Sequence, residues 1–165
     1  MAVEKPRAVR PRRSAALILI DRSGPSLKLL LGRRHPDQKF MPDKYVFPGG
    51  KTDRADQFVA AQGHLSQSDL DKLRVALGKT ASLAKLLSVA LSAIRELHEE
   101  TGLVIGRPIV DIAAGGPFAS LSLAPFITPL RIIARAVTPP VYPRRFDTHF
   151  FAAFRDKAVH EPSSL

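Results

Sequence analysis

The chain contains no cysteine, which excludes thiol nucleophiles, disulfide bracing and cysteine-type zinc sites. Histidine is sparse: the five residues stand at 35, 64, 98, 149 and 160, none at the paired H-x-x-x-H spacing of a helical metal site. No apolar run approaches the ~18 residues of a membrane-spanning helix. The stretch from Ala15 to Ile20 follows a basic leader, but it is short, meets Asp21 and Arg22, and lacks a small-residue cleavage site. It therefore reads as a first β-strand and not as a signal peptide. Aromatic residues make up 7% of the chain and do not interleave the basic ones, as a base-stacking nucleic-acid surface would require. A soluble, cytoplasmic protein without a membrane or nucleic-acid partner is expected.

What is present suffices for one small domain. A chain of 165 residues can bury ~70% of its unfolded surface around a single core. Residues 1–13 hold Lys5, Arg7, Arg10, Arg12 and Arg13 against Glu4, with prolines at 6 and 11, and read as a disordered basic tail. The folded domain is expected over 14–165, with a polar tail from Arg155. Net charge is +10. Beyond the tail, Arg33, Arg34, Lys39, Lys44 and Lys51 add positive charge suited to a multiply phosphorylated small molecule.

The densest chemistry lies in Arg95-Glu96-Leu97-His98-Glu99-Glu100-Thr101-Gly102-Leu103. On a helix of ~100° per residue, Glu96, Glu99 and Glu100 share one arc. Three like charges so close raise one another's pKa unless a cation sits among them, so the cluster is either a solvated face or a site for a hard divalent ion such as Mg²⁺ or Mn²⁺. Leu83, Leu87, Ala90, Ile94 and Leu97 recur at helical spacing on the side opposite these carboxylates and predict the buried stripe. Arg95, four residues before Glu99, can hold a carboxylate in place, and Gly102 marks the helix stop. An isolated E-x-x-E-E reads equally well as an ordinary acidic surface helix.

Upstream, Tyr45-Val46-Phe47-Pro48-Gly49-Gly50-Lys51 is a short apolar run broken by Pro-Gly-Gly, where the backbone can turn sharply and approach a ligand. Together with R-E-L-x-E-E-x-G-L, it resembles the Nudix hydrolases, whose box reads G-x5-E-x7-R-E-U-x-E-E-x-G-U, with U a bulky aliphatic residue. Gly50, Arg95, Glu96, Leu97, Glu99, Glu100, Gly102 and Leu103 occupy matching positions. The two halves are pushed apart: Arg95 stands 45 positions after Gly50, where the box spaces them by 14. Counting forward from Gly50 places Asp56 at the first Glu of the box; counting back from Arg95 places Leu87 there, and Asp56 is the favoured partner. Residues 57–82 are then an insertion, a hairpin of helices beside the site, with Ser66 or Ser68 capping a helix that runs through Leu70, Leu73 and Leu77 to Gly78.

An interrupted box resembles the branch that contains the coenzyme A diphosphatases, whose upstream signature is L-L-T-x-R-[SA]-x3-R-x3-G-x3-F-P-G-G. Leu30, Leu31, Arg34, a basic Lys39 and F-P-G-G agree with it; Gly32, His35 and Asp43 depart. Arg144-Arg145-Phe146-Asp147-Thr148-His149-Phe150-Phe151 also resembles the R-R-F-D-T-x-F-F segment of inserted-box relatives. The resemblance implies an α/β/α sandwich with a mixed sheet, and hydrolysis of a diphosphate linkage in a nucleoside derivative, coenzyme A or acyl-CoA foremost. ADP-ribose, dinucleotides, nucleotide sugars and nucleoside triphosphates are alternatives, and a nonhydrolytic nucleotide- or RNA-binding module is the alternative from another class.

It further implies Glu96, Glu99, Glu100 and Gly50 as metal ligands, Glu99, Glu96 and Arg95 as catalytic residues, and Arg34, Lys39 and Lys51 as substrate contacts. After the box the acidic residues are Asp111, Asp147, Asp156 and Glu161, so a box carboxylate is the economical general base.

Strands are expected over 15–20, 28–33, 44–47, 103–109, 130–137 and 148–153, and loops around Pro117, Pro125, Pro129, Pro139, Pro140 and Pro143. The relatives continue past the F-D-T-x-F-F strand into a further strand and a helix. Without that layer an open sheet face is expected, covered by a second copy in a homodimer.

Overall fold

The computed structural model describes residues 9–37, 42–109 and 112–158, without the side chains of 112–115. Alternating apolar residues set the first strand, β1, Arg12–Asp21. Ala15, Leu17 and Leu19 point to one face and are buried; Ser14, Ala16, Ile18 and Ile20 point to the other. The strand starts two residues inside the stretch expected to be a disordered tail, because Arg12 and Arg13 pair with Phe146 and Asp147. Two short strands follow, β2 Lys28–Leu29 and β3 Gly32–Arg33, where one continuous strand is expected. Next come β4 Tyr45–Val46 and β5 Gly49–Lys51.

After a 3-10 turn at Ala55–Phe58 come helices α1, Gln67–Leu77, and α2, Leu83–Thr101. Then follow β6 Gly106–Pro108, a 3-10 segment at Ile112–Leu121, β7 Leu123–Pro125, β8 Arg131–Val137, β9 Phe146–Phe154 and a 3-10 turn at Arg155–Lys157.

The main sheet is mixed. Its order is β2-β1-β9-β8, with β5 also pairing β1. The β1–β9 ladder is parallel over nine residue pairs, whereas β2, β5 and β8 run antiparallel to their neighbours. Strands β3 and β4 form a separate ribbon, and β6 pairs with β7. Strand β7 occupies a place where Pro125 predicts a loop. The missing N–H costs little in a two-stranded ribbon, and the Pro125 carbonyl still accepts from Gln62 N–H at 2.8 Å.

Helix α2 is buried on more than the expected stripe. Leu86, Val89, Ala90, Ala93, Ile94 and Leu97 are fully enclosed, while Leu83 is 56% exposed. The reason is that α2 is packed on several sides: by the Leu17–Phe151 face of the sheet, by α1, and by the 3-10 segment, whose Phe118 meets His98 edge-on at 5.4 Å.

The insertion contributes one helix, not a hairpin of its own; α1 pairs with α2. Ser66 is its N-cap, accepting from Asp69 N–H, and Gly78 ends it. Leu73 is fully buried. Asp69, only 1% exposed, accepts from Ser66 Oγ at 2.6 Å, Lys72 Nζ at 3.2 Å and Ile132 N–H at 3.1 Å, so the insertion is fastened to β8. These bonds outweigh the cost of burial and hold the Asp69 carboxyl below its ordinary pKa.

On the opposite face of the sheet no helix lies among the described residues. There, Ile18, Ile20 and Ala152 are half-buried, and the Arg22 guanidinium lies over the Phe154 ring at 4.1 Å. No helix of the described residues is long and apolar enough to cross a membrane.

Candidate active site

The C-terminal turn of α2 faces β5. Gly102 takes the left-handed conformation, φ 78°, and its N–H closes on the His98 carbonyl at 2.8 Å. This stop leaves Glu96, Glu99 and Glu100 on the last two turns.

Arg95 organises them. Its Nε donates to Asp56 Oδ1 at 2.9 Å and its Nη2 to Asp56 Oδ2 at 3.3 Å and to the Lys51 carbonyl at 2.9 Å. Its Nη1 donates to Glu96 Oε1 at 2.9 Å and to both Glu99 oxygens at 3.1 Å. Burial works against the charge on Arg95, but the bonds to Asp56, Glu96 and Glu99 prevail and raise its pKa. Asp56, 2% exposed, takes a third bond from Asp53 N–H at 2.7 Å. Of the two positions weighed for the first carboxylate of the box, Asp56 meets Arg95; Leu87 instead packs against the core.

The two glycines permit a close approach. A Cβ on Gly49 would stand 2.5 Å from the Ala15 carbonyl oxygen, and one on Gly50 would overlap the Glu96 carboxylate. Gly49 N–H donates to Glu100. Crowding by surrounding protein, then repulsion from Glu96, pushes the Glu100 carboxyl up; Gly49 and Arg34 oppose this, and Glu99 adds to it. Glu96 is mostly buried and Glu99 half-exposed, with side-chain exposures of 16% and 54%.

These carboxylates, whose mutual repulsion is only partly offset by Arg95 and Arg34, have the oxygen-donor chemistry of a hard divalent ion. Among the described residues no three acidic or imidazole groups already converge on one point. Arg95 takes one Glu96 oxygen and a single lone pair on each Glu99 oxygen, so both carboxylates keep lone pairs for an ion while Arg95 holds them.

Over the edge of β5, on the sheet face away from α2, lies a groove of about 650 Å³. Ser14 and Ala16 of β1, Thr148 and Phe150 of β9, and Ala136 of β8 form its floor; Phe47 and Tyr142 stand among its walls. Small floor residues side by side across three strands create the hollow. Phe47 meets Phe150 edge-on at 6.5 Å. Gly49 and Arg34 line the groove and also act on Glu100, so the groove opens onto the carboxylates.

Of the residues expected to contact substrate, Arg34 lines the groove, Lys51 is exposed on β5 opposite Ser14, and Lys39 lies outside the described residues. Asp147 is engaged by Arg135 at 2.6 and 2.8 Å, and Asp156 by Arg22 at 3.0 Å; Asp111 and Glu161 lie outside the described residues. The groove floor escapes sequence reasoning. Its signal is the small polar and apolar residues at Ser14, Ala16, Ala136 and Thr148, which take on meaning only when the strands are aligned.

No family model matches the sequence. The fold is similar to the crystal structure of a NUDIX hydrolase from Alicyclobacillus acidocaldarius, with a TM-score of 0.67 and 27% identity, over 90% of this chain and 71% of that one. Two further solved structures align more loosely. They are a Nudix hydrolase from M. Smegmatis, RenU, at TM-score 0.40 and 15% identity over 87% of this chain, and a MutT/nudix family protein from Enterococcus faecalis, at 0.46 and 17% over 96%. The chain spans 60% and 43% of their lengths.

Proposed function

We propose that this chain, which belongs to the Nudix hydrolase superfamily, is a divalent-metal-dependent pyrophosphohydrolase that cuts the diphosphate of a nucleoside diphosphate derivative. The observation that carries the reading is the Arg95 fan. One guanidinium joins Asp56, Glu96, Glu99 and the Lys51 carbonyl beside a glycine pair that opens onto a groove. The two separated halves of the box thus meet in space.

Glu96, Glu99 and Glu100 would hold Mg²⁺ or Mn²⁺, with the Gly50 region a further donor. The chemistry supplied when such an ion is bound is neutralisation of phosphate oxygens and activation of water toward phosphorus. Water attacks one phosphorus and the anhydride P–O bond breaks; a diphosphate that bridges two organic groups leaves as two phosphomonoesters, and a nucleoside triphosphate as a nucleotide and inorganic phosphate or pyrophosphate. A box carboxylate, already beside the cluster, is the economical base for the proton of that water. Arg95 is the positioning residue for Glu96 and Glu99. Arg34, between groove and cluster, binds substrate phosphate, with Lys51 and Lys39 adding positive charge.

Coenzyme A or acyl-CoA, cut to 3′-phospho-AMP and phosphopantetheine, is the substrate favoured by Leu30, Leu31, Arg34 and F-P-G-G. ADP-ribose, dinucleotides, nucleotide sugars and nucleoside triphosphates are the alternatives, and a cytoplasmic setting accords with all of them. The Asp56–Arg95 pair supports Asp56 as the first carboxylate of the box and so favours the enzyme over a nonhydrolytic module.

The test is product release from coenzyme A, ADP-ribose, a dinucleotide and a nucleoside triphosphate, with and without Mg²⁺ or Mn²⁺. Metal-dependent turnover of at least one is expected, and Glu99→Gln should abolish it while the circular dichroism spectrum stays unchanged. Full activity in the variant would overturn the assignment.

A further inference from the structure

Ser14 Oγ and Thr148 Oγ1 lie 2.6 Å apart on the groove floor, and either can be the donor. Ser14 is only 5% exposed. The register explains the contact: Ser14 of β1 stands beside Thr148 of β9, which stands beside Ala136 of β8. Around the pair the surface is aromatic and aliphatic, with Tyr45, Phe47, Tyr142 and Phe150 among the lining residues; among the described residues Arg34 is the one charged group that lines it, and no acid does.

We infer that this hydroxyl pair is the specificity-determining floor of a nucleobase pocket, and that it accepts adenine and guanine alike. The inference rests on the pyrophosphohydrolase reading and names the part of the substrate that fills the groove. An uncharged flat ring suits aromatic walls, and Arg34 is left for the phosphate. Two hydroxyls share one hydrogen between them, which leaves one hydrogen to give and lone pairs to accept. Reversing the Ser–Thr bond exchanges which residue offers the donor. Adenine brings an amine donor and a ring acceptor on its polar edge; guanine brings a carbonyl acceptor and a ring donor. A fixed donor or acceptor would reject one of them strongly, because a buried polar group would be left unpaired; a reversible pair meets both. An aliphatic chain in the groove would leave the outer hydroxyl hydrogen without a partner. Selection of coenzyme A over guanine derivatives would therefore have to come from residues outside the floor.

Calorimetric titration of the full chain in Mg²⁺ buffer with AMP, GMP, ribose 5-phosphate and phosphopantetheine tests this without turnover. AMP and GMP should bind within about tenfold of each other, and the two base-free ligands at least tenfold more weakly. Thr148→Val should weaken both nucleotides by about 5- to 10-fold, the worth of one neutral hydrogen bond, without changing ribose 5-phosphate binding, and Thr148→Ser should restore them. Ala136→Phe, on an exposed position of the edge strand, should fill the hollow and remove nucleotide binding even if the valine variant does not fold. The inference is overturned by AMP and GMP differing more than tenfold, by a base-free ligand binding as tightly as AMP, by Thr148→Val binding both nucleotides as tightly as the parent, or by nucleotide binding that survives Ala136→Phe. If these titrations behave as expected while no diphosphate is cleaved, the pyrophosphohydrolase reading fails and the nucleobase pocket stands.

Discussion

Replacing Asp56 with Ala removes the carboxylate that ties the two halves of the site together. In the parent, Asp56 is 2% exposed and accepts two bonds from Arg95 and one from Asp53 N–H. Truncation leaves Arg95, 17% exposed, with Glu96, Glu99 and the Lys51 carbonyl. Breaking a fully buried pair from one side costs about 3–5 kcal/mol. Arg95 reaches solvent at its edge and keeps two counter-charges, which reduces the cost to about 2–3 kcal/mol. With a urea m-value of about 2 kcal/mol per molar, the unfolding midpoint should fall by roughly 1–1.5 M.

Asp56→Asn keeps the shape and one acceptor oxygen, and should lose about half as much. The released Arg95 also ceases to orient Glu96 and Glu99, so kcat should drop about 10- to 100-fold, as when the groups supporting a metal site are removed. The assay is urea unfolding followed by circular dichroism, paired with metal-dependent turnover. A midpoint within about 0.2 M of the parent, well inside the shift worked above, would refute the stability argument. A large loss of stability with unchanged kcat would refute the orienting role of Arg95.

Two further perturbations test the packing. His149 is 1% exposed; burial first, then Arg135 and Arg13, pull its pKa below the ordinary 6.5, against Asp147 and the Ser14 backbone. The unfolded chain therefore takes up a proton that the fold refuses. Stability should be full above pH 6.5 and fall as pH drops toward the folded value, by up to about 1.4 kcal/mol per unit. Thermal melts of the parent and His149→Gln between pH 7.5 and 5 should show a flatter slope in the variant, and equal slopes would count against the assignment. Leu73→Ala, at a fully buried position of α1, should cost about 3 kcal/mol. A loss under 1 kcal/mol in urea unfolding would mean that the insertion is an appendage and not part of the core.

Much of the local structure follows from chain-neighbour physics. Ser66 and Gly78 bound α1, and Gly102 ends α2, because caps satisfy backbone groups within one turn. The alternation of Ala15, Leu17 and Leu19 sets the inner face of β1. The carboxylate arc at Glu96, Glu99 and Glu100 is likewise a property of helical spacing. Local rules fail where distant chain segments decide. The Leu83 stripe widened toward Leu86 and Val89 because α2 is covered on several sides, and Pro125 joined a strand because a two-stranded ribbon tolerates the missing N–H while Gln62 N–H satisfies its carbonyl.

By itself, the sequence determined the chemical inventory: no thiol, three acids on one helical arc, an arginine four residues before Glu99, and glycines where backbone must come close. Only the tertiary structure decided which carboxylate answers Arg95. Asp56 stands 39 positions before Arg95 in the chain; its spacing from Gly50 favoured it, but the packing of the 3-10 turn Ala55–Phe58 against α2 is what brings the two within 2.9 Å. The groove likewise exists only once three strands are aligned, since the pairing of Ser14, Thr148 and Ala136 is set by sheet register. Register depends on which faces are buried across the whole sheet, a long-range outcome that no single segment encodes.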